Sequence, residues 1–321
     1  MSFRAGQDII DFLRGKRLQP KCLGRYYNPI YNKYAPLCPK EFDIYNKDGQ
    51  KMRTFFIRDM QLAHIPFFAS KYFIWDRFNF GLKTHFYTHN CMLETMGNPY
   101  KRYGMLIESE SIMPEDYLIF DKHKGLEKDF DLIFTYSAKL LDKLDNARLV
   151  PFAANLYGKF GDADLHKGKT KDVSILSSNK IACEMHKFRY DLAMKCKQIS
   201  KVDTFGTFDG GERVGTMSEV LKDYRYNICL ENDIQPYYFS ERLIETFSNQ
   251  TIPIYCGATK IDEFFNPDGI IKIDTKTDIE KILTQCTKEE YERRLPAVLD
   301  NYERAKRYTN AFDYMFEKYL Q

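Results

Sequence analysis

A chain of 321 residues in which 44% are hydrophobic can bury a full core, and its length suits two domains better than one. Its 48 basic and 45 acidic residues are spread along the chain to a net charge of +3, which excludes a one-signed tail and argues against nucleic acid as a partner. The eight cysteines stand singly without a C-x-x-C pair, which sets aside zinc and disulfide frameworks and reads as reduced thiols in a cytoplasmic protein.

The opening stretch, Met1 to Leu18, mixes Arg4, Asp8, Asp11, Arg14 and Lys16 into its apolar residues and lacks the apolar centre of a signal peptide. The most apolar run, Ala63 to Trp75, is interrupted by Pro66 and Lys71, so no transmembrane segment is expected. As far as Gly104 the chain is rich in Tyr, Phe and Pro, and only Lys71 to Trp75 and Thr84 to Thr88 read as short strands. His85 and His89 lack the Glu of an H-E-x-x-H site, and aromatic packing explains them better. Gly104 to Ile107 reads as a buried strand ending in Glu108-Ser109-Glu110, and Asp131 to Thr135 as the next. Gly158 to Lys171 is the best linker.

Beyond the linker, strand and helix alternate as in a doubly wound α/β lobe. Val173 to Leu176 is a strand, and Ile181, Met185, Phe188, Leu192 and Ile199 mark one face of a helix. Tyr226 to Leu230 is the second strand, followed by a helix from about Ser240 with Phe239, Leu243 and Phe247 on one face. Ile252 to Tyr255 and Ile270 to Ile273 are further strands. Thr287 to Glu290 fits a capping box that opens a C-terminal helical region, with a break expected near Pro296. The expected division is an N-terminal lobe over 1–160, a C-terminal lobe over 161–300, and a helix over 301–321 able to pack back on the first lobe. Lys306 and Arg307 stand among aromatics there, which suits either such packing or peripheral membrane contact.

In open parallel sheets ligands collect beyond the carboxyl ends of strands. The residues that close the strands are Glu108 and Glu110, Ser178 and Asn179, Glu231 and Asn232, and Gly257. Loops are polar in any protein, so only the joint pattern carries weight. Arg242 sits in the first turn of a helix, where the macrodipole disfavours a cation, so an anion is expected to compensate it; a surface pair with Glu245 is the plainer reading. Arg189 either snorkels at the edge of an apolar stripe or joins the same phosphate site. The glycines from Gly206 to Gly215 fit no nucleotide-binding spacing and read first as a flexible turn. The D-x-D triplets Asp129-Phe130-Asp131 and Asp162-Ala163-Asp164 have the chemistry for a divalent ion, but one precedes its strand and the other lies in the linker, so no metal site is assigned.

The run Tyr224-Arg225-Tyr226-Asn227-Ile228-Cys229-Leu230-Glu231-Asn232, followed by Tyr238-Phe239-Ser240-Glu241-Arg242-Leu243, closely resembles the donor-binding signature of α-1,3/4-fucosyltransferases. Ile252-Pro253-Ile254-Tyr255-Cys256-Gly257 is similar to the strand that follows it in that family. Ser178-Asn179, Arg189 and Asp203-x-x-Gly206 look like its upstream elements, and Glu108-Ser109-x-Ser111-x-x-Pro114 looks like its base-bearing segment. The resemblance covers roughly residues 105–275 and is most specific from Glu231 to Gly257.

It implies a GT-B type fold, two Rossmann-like lobes with a cleft between them, the first lobe binding the acceptor. It further implies a metal-independent, inverting transfer that requires no cofactor, from a GDP-fucose donor to a hydroxyl of an oligosaccharide or glycolipid. By that likeness Arg189 and Arg242 hold the diphosphate, while Asn232, Tyr238 and Glu241 contact nucleotide or sugar; Ser178, Asn179, Glu231 and Gly257 stand in matched donor motifs. Glu108 is the preferred base, with Glu110 selected by a two-residue shift. Arg242, Leu230 and Ser240 replace the family's Lys, Phe and Thr, so a different nucleotide sugar is the first alternative and a non-catalytic glycan-binding module the second.

Overall fold

A computed structural model describes residues 45–321 apart from Lys47, residues 60–69, Phe78, Phe80, residues 153–159 and Asp162. The opening stretch, Cys22 and Cys38, much of the 63–75 run, the first part of the linker and Asp162 therefore lie outside the described residues. The chain divides into two compact units. The first comprises the described residues through Ile107, Pro114–Val150 and Phe312–Gln321; the second comprises Glu108–Met113 and the described residues from Pro151 to Ala311.

In the first unit β1 (Arg53–Arg58), β2 (Phe73–Asp76), β3 (Thr84–Thr88), β4 (Lys101–Met105), β5 (Leu132–Thr135) and β6 (Ala147–Leu149) form one parallel sheet in the order β2-β1-β3-β4-β5-β6. Parallel strands are covered on both faces, and Phe73, Ile74 and Trp75 are accordingly all buried rather than alternating. The short helices α1 (Pro114–Tyr117), α2 (Ile119–Lys122) and α3 (Ala138–Lys143) connect the later strands. His85 packs against Phe56, and its ring bonds the Tyr87 hydroxyl at 2.9 Å and the Leu82 carbonyl at 2.8 Å, the aromatic role expected of it. Asp131 accepts from Lys101 Nζ at 2.7 Å and from the Arg102 N–H at 2.8 Å, tying β4 to β5.

In the second unit β7 (Lys171–Leu176), β8 (Val202–Phe205), β9 (Tyr224–Leu230), β10 (Ile252–Cys256) and β11 (Ile271–Lys272) form a parallel sheet in the order β11-β10-β9-β7-β8. Helix α4 (Glu184–Cys196) joins β7 to β8, α5 (Glu241–Ser248) joins β9 to β10, and α6 (Ile279–Gln285) and α7 (Lys288–Ala305) follow the sheet. Val173, Ile175, Tyr226, Ile228, Ile252 and Ile254 form the centre of its core. The last helix, α8 (Ala311–Tyr319), returns to the first unit, where Phe316 stacks on Tyr72 and Phe312 meets Trp75 edge-on.

Three expectations need correction. Ile181 is 68% exposed and precedes α4, because the polar turn Ser178–Lys180 delays the helix to Glu184. Thr287 caps α7 by accepting from the Glu290 N–H at 3.2 Å, but the reciprocal half of the box is missing because Arg293 and Arg294 engage the Glu290 carboxylate. Pro296 does not break α7. Proline removes one helical bond and crowds the preceding turn, and contacts on both sides of it hold the helix: Tyr291 Oη donates to the Gln250 carbonyl at 2.6 Å, and Asn301 Nδ2 to the Asn266 carbonyl at 2.9 Å. Among the described residues no helix is long and apolar enough to cross a membrane.

Candidate functional site

The strand order of the second unit reverses between β7 and β9, and at such a switch point the connections leave on opposite faces and open a crevice beyond the strand ends. β7 runs out at Leu176 into Ser177-Ser178-Asn179, and β9 at Leu230 into Glu231-Asn232. α4 and α5 both begin there. Ser240 is the N-cap of α5, its hydroxyl accepting from the Arg242 N–H at 3.2 Å, and its own N–H donates to Glu231 Oε1 at 2.9 Å. Glu231 is thereby a fully buried clamp between the end of β9 and the start of α5. Gly257, at the end of β10, lies so close that a Cβ would collide with the Glu231 side chain and the Tyr255 ring, both buried. Gly206 has φ +100°, and a Cβ there would strike the Ser177 carbonyl, so the end of β8 closes on the turn after β7.

Two cations converge on this crevice. Arg189, on α4, is 5% exposed, and its Nε has no hydrogen-bond partner among the described residues. Arg242 reaches from the first turn of α5 to the Leu176 carbonyl, Nη1 to O 3.5 Å. No acidic side chain among the described residues lies within ion-pair distance of either, and Arg242 makes no pair with Glu245. Burial and then the neighbouring Arg242 draw the Arg189 pKa down to about 10, with Glu231 opposing them, so the guanidinium stays charged at neutral pH. Burial raises Glu231 to about 7 against the hydrogen bonds from Ser240. Cations so poorly compensated are costly. A ligand with several anionic oxygens, such as a diphosphate, relieves that cost through the two guanidinium forks.

Of the other expected residues, Asn232 has a buried Oδ1 without a partner among the described residues, and its carbonyl accepts from the Cys183 thiol at 3.3 Å. Tyr238 is buried, and Glu241 lies close enough to Glu231 to raise it further. Ser178 accepts from the Lys180 N–H at 3.4 Å and Asn179 is exposed, so neither is joined to the arginines. Glu108 accepts from the Ser109 N–H at 2.8 Å, and Glu110 stands in the same turn. That turn belongs to the second unit and is tied to it where the Ser111 N–H donates to Asp233 Oδ2 at 3.1 Å.

Sequence reasoning missed Asp233 and His186. Asp233 extends the polar run Glu231-Asn232, and its burial at 4% exposure comes from the turn it holds. His186 precedes Arg189 by one helical turn and shares its side of α4, a spacing visible in the sequence but hidden among the apolar positions of the helix.

Residues 166–293 match the family model described as glycosyltransferase family 10 (fucosyltransferase), C-terminal region. Over 63 residues the chain is 33% identical to the alpha-(1,3)-fucosyltransferase of Helicobacter pylori, a stretch that spans 20% of this chain and 13% of that relative. A crystal structure of α1,3-fucosyltransferase with GDP-fucose is similar with a TM-score of 0.50 at 16% identity, covering 92% of this chain and 98% of the other. A structure of α1,3-fucosyltransferase with GDP gives a TM-score of 0.48 at 16% identity, covering 92% and 98%. The first of these likenesses concerns the fold, two doubly wound parallel sheets of the GT-B class.

Proposed function

Since residues 166–293 carry the C-terminal region of glycosyltransferase family 10 (fucosyltransferase), we propose that this chain is an inverting glycosyltransferase that moves L-fucose from GDP-fucose to a hydroxyl of a glycan acceptor. The observation that carries the reading is the pair Arg189 and Arg242, two under-compensated cations at the switch point of the sheet, inside the segment that matches the family. The relatives named above are fucosyltransferases, one of them solved with GDP-fucose, which favours that donor.

In this reading the acceptor oxygen attacks the anomeric carbon opposite the diphosphate, the carbon–oxygen bond to phosphate breaks, and configuration inverts. The acceptor proton passes to the Glu108 carboxylate, or to Glu110 in the same turn. Negative charge develops on the departing diphosphate, where Arg189 and Arg242 are already oriented to receive it. Their fixed positive charge supplies what a metal-dependent transferase obtains from a divalent ion.

Titration calorimetry with GDP, UDP and CMP, each with and without EDTA, tests the reading. The expected result is selective GDP binding indifferent to EDTA, weakened about 10–100-fold by Arg189→Ala or Arg242→Ala, the loss of a charge-assisted pair. Preference for UDP or CMP, or dependence on metal, would overturn the donor assignment, and acceptor glycan binding without any nucleotide would favour a glycan-binding module.

A further inference from the structure

His186 is the third residue of α4, one turn before Arg189 and on the same side of the helix. Its Nδ1 is buried and has no hydrogen-bond partner among the described residues. The charged groups around it come from each neighbouring element: Arg189 from its own helix, Lys180 from the turn after β7, Arg242 from α5, and Glu108 from the turn after β4. Three of the four are cations, and the first turn of a helix adds the positive end of the macrodipole. A protonated imidazole is disfavoured in that setting, and burial first, then Arg189, hold the His186 pKa below its ordinary value. These surroundings favour the neutral ring.

An anion reverses the balance. A nucleoside diphosphate seated on Arg189 and Arg242 brings at least two negative charges to a place where His186 already senses both arginines, and it offers oxygens that require donors. We propose that His186 is a third member of the diphosphate cradle, neutral before the donor arrives, which takes up a proton from solvent as the diphosphate binds and then donates to one of its oxygens. The proposal rests on the donor reading above and adds to it a linked protonation. The balance is simple: imidazole gains one solvent proton on binding and returns it when the diphosphate leaves, while the acceptor's proton goes separately to the carboxylate. Tighter hold on the more highly charged leaving group follows, because the imidazolium attracts the developing charge more strongly than the resting donor.

The test is calorimetry with GDP at pH 7.5 in PIPES, HEPES and Tris, whose differing ionisation enthalpies report the protons exchanged. Net uptake in the wild-type chain that vanishes in His186→Asn, together with GDP affinity that falls several-fold between pH 6.5 and 8.5 in the wild type and stays level in the variant, is the expected result. In the wild type itself, the His186 ring signals in NMR should move to the imidazolium position when GDP is added at pH 7.5. GDP binding with equal proton counts in both chains, or ring signals that stay neutral, would overturn the role of His186 and leave the donor reading standing. Absence of GDP binding to the wild type would overturn both.

Discussion

At the scale of single residues, Glu231 shows how one side chain serves structure and electrostatics together. Its carboxylate holds the start of α5, yet it is wholly buried, beside Gly257 and the ring of Tyr255, and burial raises its pKa from 4.5 to about 7. The folded chain therefore keeps a proton that the unfolded chain gives up, and more protons are bound in the native state between those two values. Stability falls as pH rises through that window, by an upper bound of about 3 kcal/mol for the one group. In Glu231→Gln the amide oxygen still accepts from Ser240 while the charge is gone. Urea unfolding from pH 5 to 8 should show the wild type losing more stability than the variant; parallel profiles would mean that Glu231 is ionised throughout. The variant also removes a carboxyl that opposes the positive field at Arg189, so its GDP affinity measures how much that carboxyl offsets the field.

Among the elements, α5 is held at both ends by different means. Ser240 and Glu231 fix its start, and at its other end Lys169 donates to the carbonyls of Asn249, at 2.6 Å, and Leu221, at 2.9 Å, and to Thr251 Oγ1, at 2.9 Å. Lys169→Met strips three acceptors of a buried donor and should lower stability by about 3 kcal/mol in chemical denaturation. The folded variant should bind GDP as the wild type does, because the lost bonds lie at the end of α5 opposite Arg242. Such elements were readable where local chemistry decides them. β9 and α5 follow from an apolar run ended by Glu231-Asn232 and from a serine cap three residues before an apolar helix face. Pro296 misled because contacts distant in sequence, through Tyr291 and Asn301, hold α7 together across it. His186 was hidden for a related reason: the sequence shows that it shares a face with Arg189, but not that it lies within electrostatic reach of Lys180, Arg242 and Glu108.

For the molecule as a whole, the proposed chemistry separates into a cradle on α4 and α5 and a base on the turn after β4. Glu108→Gln should lower kcat at least about 100-fold while changing GDP affinity no more than several-fold, through the charge lost near His186, the behaviour of a group that acts chiefly on the acceptor's proton. Full activity in this variant, with loss in Glu110→Gln, would move the base two residues along. The hydrogen bond from Ser111 to Asp233 joins residues 122 apart in sequence, a pairing that no local pattern announces. It also governs how the chain can be taken apart. Neither unit is one continuous stretch, since Glu108–Met113 leaves the first unit, joins the second and returns. On the proposed reading, a gene fragment beginning at Pro151 would encode the second unit's sheet with Arg189 and Arg242 but without Glu108 and Glu110. An exchange of this unit between relatives must therefore carry that short turn across as a separate graft, or, on the proposed reading, yield a protein that holds a donor without transferring it.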